Sequence, residues 1–188
     1  MRVTSPRLPL ALLLAASAFA LTGCSPEAAV PSAPPSAEAE PLFASDEEAL
    51  AAAEAAFERY LDVAFDVFSA GGESPERLED VATGDALQAD LDRASQYAEQ
   101  GLRQTGDPVV IQSELQQYIP DASDQDEVII YSCLDGTSIE LLGADGESRS
   151  DPNRSKTITV ENRFVADESG ALLLADSEVW ADGDSCEF

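Results

Sequence analysis

The sequence predicts an α+β domain, with N-terminal helices packed on one face of an antiparallel sheet of about four strands. Three observations carry this expectation. Apolar residues recur with a helical period from Leu50 to Ala98. The period falls to two after Gly106. The alternating runs that follow are separated by turn signals such as Asp167-Glu168-Ser169-Gly170.

Composition narrows the functional classes. The chain has 188 residues, with 10 Lys and Arg against 37 Asp and Glu, and a formal charge of −27. That imbalance excludes nucleic acid as the default partner, because phosphate binding needs clustered cations. It also argues against attraction to an anionic membrane surface. Histidine is absent, which removes Ser-His-Asp and Cys-His nucleophiles and imidazole metal ligands. A hydrophobic fraction of 44% with 25% charged residues is that of a folded protein.

The first segment reads as an address. Arg2 and Arg7 flank a polar start, and Leu8 to Leu21 is almost wholly apolar, too short to span a bilayer as a mature helix. The run ends in Leu21-Thr22-Gly23-Cys24, which resembles the lipobox of bacterial lipoproteins. The resemblance implies that residues 1–23 are a signal peptide and that Cys24 is acylated and becomes the mature N-terminus. The alternative is an ordinary secretory signal with an incidental cysteine. An alanine-rich chain with nine Arg and a single Lys suggests a high-GC coding sequence. Together with the lipobox this points to a high-GC Gram-positive bacterium, the protein being held on the outer face of the cell membrane. Loss of Arg2 and Arg7 leaves 8 cations against 37 acids, or −29.

Residues 24–45 form the acylated cysteine and a Pro/Ala-rich tether, with Pro26, Pro31, Pro34, Pro35 and Pro41 among Ala, Ser and Glu. Such a stretch favours extended conformations, and twenty residues reach at most roughly 60 Å at about 3.1 Å each. A single domain is expected over 46–188.

In that domain, Ser45-Asp46-Glu47-Glu48 reads as a capping box, with acids where the helix dipole favours them. Leu50, Ala53, Phe57, Tyr60, Leu61, Ala64 and Phe68 share one face of the first helix, while Asp62 and Asp66 point the opposite way; Gly71-Gly72 ends it. Ser74-Pro75-Glu76 starts a short helix to about Ala82. Thr83 then caps a third helix with the stripe Leu87, Leu91, Ala94 and Ala98, ending at Gly101.

Val109, Ile111, Leu115 and Ile119 alternate with Gln and Glu in the first expected strand, which Pro120 closes. Val128 to Leu134, Lys156 to Val165 and Ala171 to Trp180 are the other three, and a weaker strand lies at Ser138 to Leu142.

This order resembles the nuclear transport factor 2-like fold, also called SnoaL-like. Its carriers are the long capped first helix, the helix ending in Gly101-Leu102-Arg103-Gln104-Thr105-Gly106, and the hairpins through Tyr131-Ser132-Cys133-Leu134-Asp135 and Ser177-Glu178-Val179-Trp180. The resemblance covers about residues 46–186 and implies a cone in which a curved sheet wraps the first helix. The chain is also similar to small secreted actinobacterial lipoproteins whose domains of this type have no assigned activity. Cone-fold enzymes such as ketosteroid isomerase and scytalone dehydratase keep acid–base groups inside the pocket. None of their catalytic constellations matches here residue by residue, so no catalytic residue is assigned.

With Cys24 acylated, Cys133 and Cys186 remain as an even pair outside the cell. In an up-and-down meander the second and fourth strands run the same way, which puts both cysteines at the same sheet edge. A bridge would close about 54 residues and contribute roughly 4 kcal/mol in the chain-entropy model. A redox or metal pair lacks Cys-x-x-Cys spacing and any histidine.

Acid–base chemistry needs a carboxylate in an apolar pocket beside a hydrogen-bond donor. Asp90 is the best placed acid, about 60° off the Leu87 stripe and on the side of Tyr97. The blander reading makes it an edge carboxylate paired with Arg93 at i+3. Ser113 and Gln117 lie in register with the apolar face of the first strand, and Asn162 with Ile158, Val160 and Phe164 of the third. With Tyr60 these are candidate pocket residues; polar groups satisfied by backbone or lying at the mouth are the alternative. The acidic run Asp121 to Glu127 fails as a calcium loop, with Asp126 where Gly is needed and Ser132 where Glu is needed, and reads as a charged hairpin turn. Asp182-Gly183-Asp184 reads the same way, and Asn153-Arg154-Ser155 is a sequon of little weight in a bacterium. Neither metal nor cofactor is expected.

The expected function is a non-enzymatic extracytoplasmic domain, attached to the membrane through Cys24, that binds a small ligand or an envelope protein. The alternatives are a cone-fold enzyme acting on a small apolar substrate and a structural envelope component. A cavity holding a buried carboxylate favours the enzyme; one lined by apolar groups and amides favours a binder.

Overall fold

The structure, a computed structural model, describes residues 41–122, 125–182 and Cys186. The signal peptide, Cys24, nearly all of the tether and Asp182-Gly183-Asp184 beyond its first residue lie outside them. Helix α1 (Asp46–Ser69), a 3-10 turn (Pro75–Asp80) and helix α2 (Gly84–Gln100) precede six strands. These are β1 (Arg103–Thr105), β2 (Val109–Ala122), β3 (Gln125–Asp135), β4 (Glu140–Leu142), β5 (Thr157–Ala166) and β6 (Leu172–Asp182). The main sheet is an antiparallel meander in the order β2-β3-β5-β6, and β1 and β4 pair in a second, small sheet. The α+β class with a four-stranded sheet is therefore as expected.

Helix α1 begins as its capping residues predict. The Glu48 N–H donates to Ser45 Oγ at 3.3 Å, and the Ala44 N–H donates to Glu48 Oε2 at 2.8 Å. The segment before it is stapled to the β2–β3 hairpin end. The Leu42 N–H donates to Asp126 Oδ2 at 2.8 Å, the Phe43 N–H to the Tyr118 hydroxyl at 3.1 Å, and Tyr118 in turn donates to Asp126. The Phe43 ring meets Tyr118 edge-on at 5.4 Å, and Leu42 lies over Gly170 in the β5–β6 turn.

Helix α1 lays alanines on the sheet: Ala49, Ala53 and Ala56 are buried with Phe57, and they pack with Val128, Ile130 and Phe164. Small side chains let helix and sheet approach closely. A second cluster joins Val67 and Phe68 at the end of α1 to Leu78 and Ala94. Gly72, at φ +84°, permits the close crossing of α1 and α2, since a Cβ there would strike the Ala94 carbonyl.

Four expectations need correction. The segment after Gly101 is not a helical tail: Arg103–Thr105 is a strand that pairs with Glu140–Leu142. Pro120 does not close the first main strand, which continues to Ala122; it sits at an irregular stretch of an edge strand, where a missing N–H costs no ladder bond. The run from Asp121 lies at the β2–β3 hairpin end, as expected, but β3 already begins at Gln125, and Asp126 is a hydrogen-bond acceptor in the staple, not a solvated turn charge. On α2 the buried stripe is Ala86, Asp90 and Ala94, with Leu87 and Leu91 only half-buried and Ala98 exposed.

Cys133 and Cys186 are joined, with Cα atoms 5.5 Å apart. The bridge lies against the sheet face away from α1, and the Gln112 side chain donates to the Cys186 carbonyl at 2.7 Å. The end of the chain is thus held across β3 and β2.

Candidate functional site

Bulges in β2 and β6 decide which polar side chains face the helices. In β2 the register shifts after Val110 and again after Leu115, so Val110, Ser113, Leu115 and Tyr118 oppose the inward residues of β3. Ser113 meets Ser132 at 3.1 Å on this inner face. Gln117 pairs with Ile129 on the opposite face and is exposed, so it is no pocket residue. In β6 a bulge at Ala175 makes Asn162 face Ser177, and Ser177 Oγ donates to Asn162 Oδ1 at 2.7 Å.

Between α1, α2 and the inner face of β3, β5 and β6 lies a cavity of about 270 Å³. Phe57, Leu61, Ala86, Leu134, Ile158 and Val160 give it apolar walls, and Ser177 and Val179 edge it on the sheet side. Tyr60, Asp90 and Arg93 form its polar wall. A larger groove of about 460 Å³ runs past Arg103, Gln104 and Gly143 but contains no buried ionisable group.

Asp90 is the centre of the polar wall. It is 2% exposed, not at a helix edge, and both its oxygens are engaged. The Tyr60 hydroxyl donates to Oδ2 at 2.8 Å, and Arg93 Nη1 stands 3.3 Å from Oδ1. The Arg93 side chain is half exposed, and its guanidinium lies 5.2 Å from the centre of the Phe68 ring. Burial pushes the Asp90 carboxyl above the usual carboxylate range, although Arg93 and the Tyr60 hydrogen bond both pull it down. Burial also pushes the Tyr60 phenol up, reinforced by the charge of Asp90 and the donated bond, with Arg93 opposing. The wall is therefore a buried carboxyl group whose pKa its apolar setting raises, with its phenol and guanidinium partners already turned toward it.

Of the residues singled out from sequence, Tyr60 and Asp90 are brought together in the cavity, and Asn162 lies next to it behind Ser177. Ser113 is on the same inner face, two strands away. Tyr97 is elsewhere: its ring packs on Phe68 at 5.1 Å in the second cluster. Arg93 entered the sequence reading only as a partner of Asp90. Ser177 was not foreseen in the site, because the bulge that aims it inward leaves no mark in the residue pattern. Among the described residues, no group of three or more Asp, Glu or Cys is arranged to hold a metal ion.

Neither a protein-family model nor a curated protein sequence matches the chain. Among solved structures, the chain is similar to the intermembrane space region of chloroplast protein ARC6, at TM-score 0.52 and 19% identity, over 71% of this chain and 97% of that one. It is also similar to a periplasmic fragment of TraM, at TM-score 0.46 and 12% identity, over 69% and 95% of the two chains. What the ARC6 likeness establishes is the fold.

Proposed function

We propose that this chain is an extracytoplasmic lipoprotein, anchored through Cys24, whose domain holds a small and mostly apolar molecule in the cavity between α1, α2 and the sheet. The cavity itself carries the reading. Most of its lining is apolar, and the groups of its one polar wall bond one another rather than standing open. That arrangement suits a binding site, in which a few polar groups orient a ligand held by burial.

The Leu21-Thr22-Gly23-Cys24 motif supports the anchor, and a Cys133–Cys186 bridge suits an oxidising compartment. The resemblance to an intermembrane space region fits a domain outside the cytosol. The long first helix and four-stranded meander support the nuclear transport factor 2-like assignment. Among the described residues no helix is long and apolar enough to cross a membrane.

A second reading, acid–base catalysis, is favoured by one observation: Asp90 is buried with its carboxyl raised, as a general base requires. Binding remains the better fit, because the Tyr60 hydroxyl is spent on Asp90 and the Ser177 hydroxyl on Asn162. Neither is left to meet a developing oxyanion.

Native mass spectrometry of the chain extracted from its own membrane tests both parts. A diacylglycerol-modified Cys24 and a releasable small molecule, lost in Ala86→Phe, are expected. An unmodified Cys24 ends the anchor, and an empty wild-type domain that also fails to take up apolar probes ends the binding site.

A further inference from the structure

The inner face of the sheet holds one side chain whose bonding is incomplete. Asn162 is fully buried, and it lies between Val160 and Phe164 in the inward row of β5. Its oxygen accepts from Ser177, but its amide nitrogen Nδ2 has no hydrogen-bond partner among the described residues. Leaving a buried donor unpaired costs about 1–3 kcal/mol. Leucine has nearly the same size and would fill the position without that cost.

The position of the amide indicates what completes it. Val160, the next inward residue of β5, lines the cavity, and so does Ser177, the residue bonded to Asn162. Phe57 also lines the cavity, and its ring meets Phe164, the inward residue on the other side of Asn162, at 6.4 Å. Asn162 therefore sits immediately behind the part of the cavity wall that Val160 and Ser177 form, with its oxygen held by Ser177 and its amide nitrogen unmet. At the opposite wall Asp90 already has both oxygens engaged. The unmet hydrogen-bonding capacity of this region is thus a donor.

We propose that the occupant of the cavity is a compact apolar molecule carrying one accepting oxygen, a carbonyl or an ether, which seats beneath Ser177 and takes the hydrogen bond of Asn162 Nδ2. This rests on the binding reading above and adds the polarity and placement of the ligand's polar end. Catalysis is not required: the bond orients the ligand, with the apolar body against Phe57, Leu61 and Ile158.

The test uses two probes of matched shape, cyclohexanone and methylcyclohexane, and the full chain carrying Cys24→Ser with ¹⁵N label. The Asn162 side-chain amide resonances, identified by their loss in Asn162→Leu, are followed during titration. Cyclohexanone is expected to shift them and methylcyclohexane to leave them in place. Asn162→Leu is expected to weaken cyclohexanone about fivefold, the loss of one hydrogen bond, with no weakening of methylcyclohexane. If Asn162→Leu does not fold, the resonance shift in the parent chain decides alone. If both probes bind with the amide unmoved, the donor is met by a buried water and the inference is overturned, while the binding site stands. If neither probe binds, the cavity reading and the inference fall together.

Discussion

Tyr60 on α1 and Asp90 on α2 meet at 2.8 Å inside the domain, the hydroxyl donating to the carboxylate. The contact ties the two helices together beside the cavity and brings a titratable group into the core.

In Asp90 the folded-state pKa is raised, chiefly by burial. The folded chain then binds the proton more tightly than the unfolded chain, whose Asp titrates near 3.9. As pH rises from that value through the raised folded value, Asp90 lowers stability, and the loss is complete above it. Asp90→Asn keeps an acceptor for Tyr60 and removes the charge. Urea denaturation should find this variant at least as stable as the parent at pH 7, with a shallower pH dependence above about pH 4. Asp90→Ala orphans the Tyr60 hydroxyl and should cost about 1–3 kcal/mol.

Asp167 acts with the opposite sign. Its carboxylate accepts from the Ser169 hydroxyl and from the Ser169 and Ala171 N–H groups, closing the β5–β6 turn, and these bonds hold its pKa below the ordinary value. Its contribution is present above the unfolded pKa and is lost as pH falls through the folded one. Asp167→Ala should therefore be less stable than the parent at pH 7, and the two denaturation midpoints should converge on acidification to about pH 2. A difference that persists unchanged at low pH would rule out the charged acceptor as the cause.

Opening the Cys133–Cys186 bridge should cost about 2–5 kcal/mol. Cys186→Ser and reduced parent chain should unfold at the same urea concentration, both below the oxidised parent. A Gln112→Ala variant should show a much smaller loss, since the exposed bond to the Cys186 carbonyl is only an auxiliary hold on the same segment.

Gly72→Ala should destabilise by about 1–3 kcal/mol, because the site combines positive φ with the Ala94 backbone in contact range. Gly146 has positive φ but open space around it, so Gly146→Ala should cost about 1 kcal/mol, the backbone share alone. Thermal melts of the two variants separate crowding from conformation.

Helix positions and the succession of the four long strands along the chain were legible from periodicity and punctuation, since Ser45, Gly71, Thr83, Gly101 and Gly170 all stand at or next to the ends of elements. Facing was legible only where strands are regular. In β5, which is regular, Asn162 points inward with Val160 and Phe164 as alternation requires. In β2, alternation groups Gln117 with Ser113, and the bulge between Leu115 and Gln117 puts them on opposite faces. In β6, counting outward from the turn pairs Asn162 with Asp176, and the bulge at Ala175 substitutes Ser177. Asp90 is legible as the best placed acid and as the partner of Arg93, but the depth of its burial is not. Helical spacing places the leucines at the centre of the stripe, but alanines already fill the close contact with the sheet. The space that remains takes a carboxylate matched by Tyr60 and Arg93.

The staple at Leu42 and Phe43 has a mechanical consequence. A pull on the chain ahead of Pro41 reaches the hairpin through Asp126 and Tyr118, and the β5–β6 turn through Leu42 on Gly170. Both holds grip the chain at Leu42 and Phe43, ahead of the first turn of α1. Tension is therefore divided between the hairpin and the turn before it can unwind the helix, so the wall of the cavity that α1 supplies is sheltered from the load.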